Sequence, residues 1–198
     1  MDRKRKETAT IEHDSSIHEV YGQKKEGADY SYENTHSYQV EYVTLAETGD
    51  VLHQELREGN CYSSSGLSEI LPGILDRVSK QFNHLRYRAD SASYDKAIVG
   101  ACEERGVKFY ISADHTRPLM REVLSIDEGG WKRFRRKQLS GGKKNRSGKT
   151  RKKRKNHKKW VQDRRKPNRE RRGETRIASV FYQPVGWQRR YRYVVKRT

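Results

Sequence analysis

From Thr8 to about Ser125 the apolar positions recur with the short period of strands or the longer period of helices; from residue 135 to 175 that periodicity is lost. Thr8-Ala9-Thr10-Ile11-Glu12-His13-Asp14 favours extended backbone and predicts a strand that closes at Asp14. Tyr21 to Tyr38 is polar, Gly-bearing and rich in Tyr, and reads as a long loop. Tyr38-Gln39-Val40-Glu41-Tyr42-Val43-Thr44-Leu45-Ala46 predicts a second strand, and Val51 to Arg57 a third. The turn residues Thr48-Gly49-Asp50 join them into a hairpin, which Glu58-Gly59-Asn60 closes. The period then lengthens. From Ser65-Gly66 onward, Leu67, Ile70, Leu71, Ile74, Leu75 and Val78 share one helical face, with Pro72 early enough to be tolerated. Asn83 to Arg88 is a short fourth strand ending at Ala89-Asp90-Ser91. A second helix spans about Ser93 to Arg105, with Ala97, Ile98, Ala101 and Cys102 inward and Gly106 at the expected C-cap. Val107 to Ser112 is a fifth strand, and Arg117 to Ser125 a further helix.

The order is β-β-β-α-β-α-β-α: an antiparallel opening, then strand–helix–strand units that favour parallel pairing. That order predicts an α/β fold, a ribonuclease-H-like mixed sheet with flanking helices. Gly141-Gly142, Lys143-Lys144 and Arg151 to Lys155 mark a basic low-complexity segment, expected to be disordered in isolation. After it, Ile177 to Tyr182 and Tyr191 to Lys196 read as two strands, with Pro184 to Trp187 in their connection.

Charge sharpens this division. The chain has 198 residues, 32% hydrophobic and 35% charged, with a net charge of +18. Residues 131–176 hold 23 of the 44 Lys and Arg and only three acids, whereas residues 1–130 hold 16 basic and 23 acidic residues. A mildly acidic domain is thus joined to an intensely basic segment, which suits a polyanionic partner. Cys61 and Cys102 have no metal-ligand spacing, which favours free thiols in a reducing interior. No apolar run approaches the roughly 18–20 residues of a membrane span, and the start lacks a signal-peptide apolar region. A soluble, intracellular protein is expected.

Two acids end strands, Asp14 on the first and Asp90 on the fourth. Loops at strand ends carry function on a rigid frame. Carboxylates on adjacent central strands can hold a pair of divalent ions about 3.5–4 Å apart, and hard oxygen ligands suit Mg²⁺ or Mn²⁺. An Asp after a strand is more often a turn residue or a helix cap, and Asp90 is placed to N-cap the helix that follows. Spacing alone leaves both readings open.

Several blocks, in order, change the balance. Asp14-Ser15-Ser16 with Tyr21-Gly22-Gln23-Lys24-Lys25-Glu26-Gly27-Ala28 resembles the first-aspartate region of bacterial insertion-sequence DDE transposases. So do Glu47-Thr48-Gly49-Asp50-Val51-Leu52 and Leu56-Arg57-Glu58-Gly59-Asn60. Arg86-Tyr87-Arg88-Ala89-Asp90-Ser91 resembles the second-aspartate motif, followed by Tyr94, a helix, and Cys102-Glu103-Glu104-Arg105-Gly106-Val107-Lys108-Phe109-Tyr110-Ile111. Tyr182-Gln183-Pro184 through Trp187 and Arg190 to Arg197 looks like the strand-rich insertion that precedes the family's catalytic glutamate. The resemblance implies that Asp14 and Asp90 are catalytic metal ligands of the DDE triad and that Mg²⁺ (or Mn²⁺) is the cofactor. It implies element ends and target DNA as partners, a homodimer in the transposition complex, and a bacterial, nucleoid-associated cytoplasmic setting. The chemistry implied is hydrolysis at the element end, then attack of the freed 3′-hydroxyl on target DNA.

The expected organisation is therefore 1–130, a partial ribonuclease-H-like catalytic domain; 131–176, the basic segment; and 177–198, the start of the insertion. The family's Tyr-x-x-Arg-x-x-x-Glu pattern is not found, so a chain cut short of its third carboxylate is expected. Arg151, Lys152, Lys153, Arg154, Lys155, Lys158 and Lys159 are the expected DNA-phosphate contacts. Arg57 and Asn60 fit hairpin closure better than a phosphate contact, His13 and His18 fit hydrogen-bonded or solvent-facing roles, and Arg88 pairs either with Asp90 or with DNA. Two competing functions remain: a catalytically inactive DNA-binding transposase remnant, and a basic RNA-associated binding protein.

Overall fold

The computed structural model describes residues 6–22, 24–62, 64–134 and 174–198. The chain divides into two compact units, Met1–His115 and Thr116–Thr198.

The first unit is built on strands β1 (Lys6–Glu19), β2 (Asp29–Tyr30), β3 (His36–Leu45), β4 (Val51–Glu58), β5 (Phe82–Ala89) and β6 (Lys108–Ile111), with helices α1 (Leu67–Ser79) and α2 (Lys96–Glu104). The sheet runs β2-β3-β1-β5-β6, and β4 also pairs with β3. β3 is antiparallel to β1 and to β4, whereas β5 is parallel to both β1 and β6. This is a mixed α/β sheet, in the order that the element pattern predicts and compatible with the ribonuclease-H-like expectation.

Three elements depart from that prediction. β1 does not stop at Asp14. Its residues Ser15 to Glu19 keep a partner in β3, down to Glu19↔Ser37, so cross-strand pairing carries a polar segment of weak strand propensity onward. The stretch read as a long loop contains β2, held to β3 through Asp29↔Ser37 and Tyr30↔His36. The second helix begins later than Ser93. Ser91–Ser93 is a separate 3₁₀ turn, and Asp95 starts α2 by accepting from the amides of Ala97 (2.7 Å) and Ile98 (3.3 Å).

Helix α1 runs through Pro72. A proline inside a helix costs about 3 kcal/mol, because it removes a hydrogen bond and crowds the preceding turn. Leu67, Leu71, Ile74, Leu75 and Val78 are all buried on one face. At ~1.5–3 kcal/mol each, their burial is worth on the order of 10 kcal/mol and outweighs the proline. Helix α2 ends in a Schellman motif: Gly106 at φ 64° donates to the Glu103 carbonyl and Val107 to the Cys102 carbonyl. Val107 and Cys102 both join the core under the sheet, with Ala9, Ile11, Val43 and Tyr87.

Burial gives the two thiols different reactivity. Cys102 is fully buried and its thiol is pushed up to about 12 by that burial, whereas Cys61 is half-buried. The thiolate is the nucleophile. Iodoacetamide should therefore label Cys61 in the native chain and reach Cys102 only after denaturation, as read by mass spectrometry. Equal labelling rates would show that α2 is not packed on the sheet.

The second unit contains α3 (Arg117–Leu124) and an antiparallel sheet β7-β8-β9, formed by Lys132–Arg133, Arg176–Tyr182 and Tyr191–Arg197. β8 and β9 match the two strands expected after the basic segment. Glu128 receives a bidentate pair from Arg197 at 2.7 Å on each oxygen, and the Arg197 guanidinium lies 4.4 Å from the Trp131 ring centroid. Among the described residues, no helix is long and apolar enough to cross a membrane.

Candidate active site

Alternation along β1 buries Ala9, Ile11 and His13 on the helix-covered face and leaves Asp14 exposed. β5 repeats the pattern, burying Tyr87 and leaving Arg88 and Asp90 exposed. The parallel register between the two strands ends at His13↔Ala89. Asp14 and Asp90 are therefore the next residue on each strand. Adjacent strands lie about 4.8 Å apart, so the two acids start from neighbouring positions at the carboxyl end of the central pair.

At that point the strands part. β1 continues beside β3, while the chain after β5 turns into the 3₁₀ segment. Asp90 caps this turn, its Oδ1 accepting from the Ala92 amide at 3.0 Å. The sequence suggests Asp90 as the cap of the following helix; that cap is Asp95, and Asp90 caps only the 3₁₀ turn, which fixes its carboxylate at the strand end. Asp14 Oδ1 accepts from the Ser15 amide at 3.0 Å. Both charges act on the buried ring between them: Asp90 and Asp14 each favour the protonated form of His13. Burial opposes them and wins, with help from Arg57, so His13 falls to about 4 and is neutral near pH 7.

His13 belongs to a buried polar chain that the sequence pattern did not single out. Its Nδ1 lies 2.8 Å from Ser93 Oγ, and its Nε2 lies 3.0 Å from Glu41 Oε1. Glu41, fully buried, is also ion-paired with Arg57. Arg57 donates onward to Glu55 Oε2 (3.2 Å) and to the Tyr62 carbonyl (3.2 Å). At the other end the Tyr87 hydroxyl donates to Ser93 Oγ at 3.2 Å. His13 Nε2 approaches Glu41 Oε1 without forming a hydrogen bond, while Nδ1 and Ser93 Oγ share one whose direction follows the ring tautomer.

The other expected residues take these places. Arg57 is buried against Glu41. Asn60 is exposed and its Nδ2 donates to Asp29 Oδ2 at 2.6 Å, which ties the end of β4 to β2. Arg88 pairs with Glu12, not with Asp90; position i and its parallel partner share a face, and Glu12↔Arg88 is such a pair. His18 is exposed. Tyr21 and Tyr32 are largely exposed, and Tyr38 donates to the Glu26 carbonyl at 2.6 Å. The Tyr32 hydroxyl is raised above its ordinary value, first by the charge of Glu33 beside it. Arg151, Lys152, Lys153, Arg154, Lys155, Lys158 and Lys159 lie outside the described residues.

Among the described residues no group of three or more His, Cys, Asp and Glu side chains converges for a metal ion. What the site offers is two exposed carboxylates at adjacent register positions. As hard oxygen donors they suit Mg²⁺ or Mn²⁺ in kind, and they are too few to form a full protein ligand set.

No curated protein sequence matches the chain. Among solved structures, the Drosophila P element transposase strand transfer complex is similar at 12% identity, over 59% of this chain and 28% of that one, with a TM-score of 0.25. A family model described as transposase DDE domain group 1 matches residues 1–198, the whole length of the sequence. The chain thus belongs to the transposase DDE domain family, group 1.

Proposed function

We propose that this chain supplies two metal-binding carboxylates, Asp14 and Asp90, to a transposase centre that cleaves and transfers DNA strands, and that its basic segment holds the DNA. The observation that carries this reading is the register: the two acids follow directly on His13↔Ala89, the last parallel pair of β1 and β5. Family membership supplies the transposition context.

Divalent ions held by Asp14 and Asp90 would supply activation of the attacking oxygen and stabilisation of the leaving one. The chain's own part is to hold them. Asp14 projects from a strand that is hydrogen-bonded to β3 beyond the site, and Asp90 from a capped turn. The neutral His13 behind them adds no positive charge that would repel a cation.

The deciding assay is nicking of a labelled element end in Mn²⁺. Metal-dependent cleavage that Asp14→Asn removes supports the reading, and cleavage that persists in a chelator would sink it. A second reading, a DNA-binding transposase remnant without chemistry, is favoured by the lack of a third converging donor among the described residues. It corresponds to duplex binding with no nicking at any metal concentration.

DNA affinity is a separate expectation. Residues 135–173 contain 20 Lys and Arg and two acids. The Phe134 amide donates to the Thr175 carbonyl at 2.8 Å, so the two ends of this segment meet and a short Gly-Ser turn can replace it. That replacement is expected to collapse affinity for duplex DNA and flatten its salt dependence, which runs at about −0.9 in log–log slope per phosphate neutralised. Fluorescence anisotropy between 50 and 200 mM salt, the range used for such slopes, would read both. An unchanged slope would show that the phosphate contacts lie elsewhere.

A further inference from the structure

We propose that Ser93 and His13 are positioning residues that set the separation of the two aspartates; the proposal rests on the reading of Asp14 and Asp90 as metal ligands. The backbone ladder between β1 and β5 ends one residue before these acids, at His13↔Ala89. Past that point β1 stays with β3 and the Asp90 segment turns away. A tie between the two branches is then supplied by side chains, through the 2.8 Å contact of His13 Nδ1 with Ser93 Oγ. His13 immediately precedes Asp14. Ser93 ends the turn that Asp90 begins, and its amide donates to the Asp90 carbonyl.

The tie sits where water does not compete with it: Ser93 is fully buried and His13 is 4% exposed. It is also oriented from both ends. On one side Glu41 Oε1 lies 3.0 Å from His13 Nε2, and Arg57 is ion-paired with Glu41. Tyr87 donates to Ser93 Oγ and so turns the serine proton toward the ring. Both side chains are buried, so each acts on a metal only through the neighbouring acid. Partners that orient metal ligands in this way typically contribute 10–100-fold to affinity.

The experiment measures Mn²⁺ affinity by electron paramagnetic resonance, with urea unfolding run on the same samples. The proteins are the full chain, Ser93→Ala, Tyr87→Phe, Asp14→Asn and Asp90→Asn. Ser93→Ala removes the tie and is expected to weaken Mn²⁺ binding by about tenfold or more. Tyr87→Phe keeps the Ser93–His13 contact and is expected to stay within about twofold of the parent, since it lies one link further from the acids. If Ser93→Ala lowers stability but the folded protein binds Mn²⁺ as tightly as the parent, the role is structural only and the proposal is overturned. If Asp14→Asn and Asp90→Asn also leave Mn²⁺ binding unchanged, the metal-site reading falls together with it. If they abolish binding while Ser93→Ala does not, the positioning role alone falls. Should Ser93→Ala fail to fold, the near-isosteric Ser93→Cys, a much weaker hydrogen-bonding group, carries the same expectation.

Discussion

Asp90→Asn is expected to lower Mn²⁺ affinity at least ~100-fold and to abolish cleavage of a labelled element end under conditions where the parent chain nicks it. Partners one shell removed from a metal contribute about 10–100-fold, and a direct carboxylate ligand should exceed that range. The substitution keeps the shape of the side chain and its carbonyl oxygen, so the cap on the Ala92 amide survives and the turn stays folded. What is lost is the negative charge that offsets cation dehydration, which Mg²⁺ resists strongly. Duplex affinity should change by no more than about twofold, because phosphate attraction comes from the basic residues. Asp14→Asn should behave in the same way. Retained cleavage in either variant would move the site away from the β1–β5 junction, and a parallel loss of DNA binding would mean that the variant had disturbed the fold.

Arg57→Met is expected to destabilise the first unit by about 3–5 kcal/mol, the typical effect of removing one partner of a buried ion pair. Glu41 is fully buried, and its carboxylate faces Arg57 on one side and the neutral His13 on the other. Without the guanidinium, the charge keeps only the 3.0 Å contact with His13 Nε2. Desolvation then favours protonation of the carboxyl group, which brings the loss toward the lower end of that range near pH 7. The double variant Glu41→Gln/Arg57→Met should recover much of the stability, since replacing both members of a buried pair is far less costly than stranding one. Urea unfolding of the parent, the single variant and the double variant measures this directly. A single-variant loss below about 1 kcal/mol would mean that Glu41 is hydrated rather than buried.

Element identity in the first unit was legible because its signals are local. The periodicity of Leu67, Leu71, Ile74, Leu75 and Val78 marks α1 despite Pro72, and Gly106 marks the end of α2 by a conformation that favours glycine. The hairpin of β3 and β4 follows from Thr48-Gly49-Asp50. The two aspartates were singled out as candidate ligands by motif resemblance and by their place after apolar strands. Arg88 and β1 were misjudged for one reason. Whether Arg88 meets Asp90 or Glu12 depends on which residue of β1 lies opposite it, and whether β1 continues past Asp14 depends on β3. Register between distant strands is not written in either strand alone.

The sequence by itself determined the mixed strand–helix order and the acidic and basic division of the chain, and it placed two acids after strands in motifs that resemble those of DDE transposases, because propensity, periodicity and charge act over a few residues. Only the tertiary structure decided that Asp14 and Asp90 occupy neighbouring positions, that His13 is a buried neutral link rather than a surface histidine, and that Arg57 neutralises Glu41 inside the fold. Ser93, His13, Glu41 and Arg57 come from four separate segments up to 80 residues apart, and each alone is an ordinary polar residue. They become a connected chain only when the sheet brings them together and excludes water, where an unpaired polar group costs far more than a paired one.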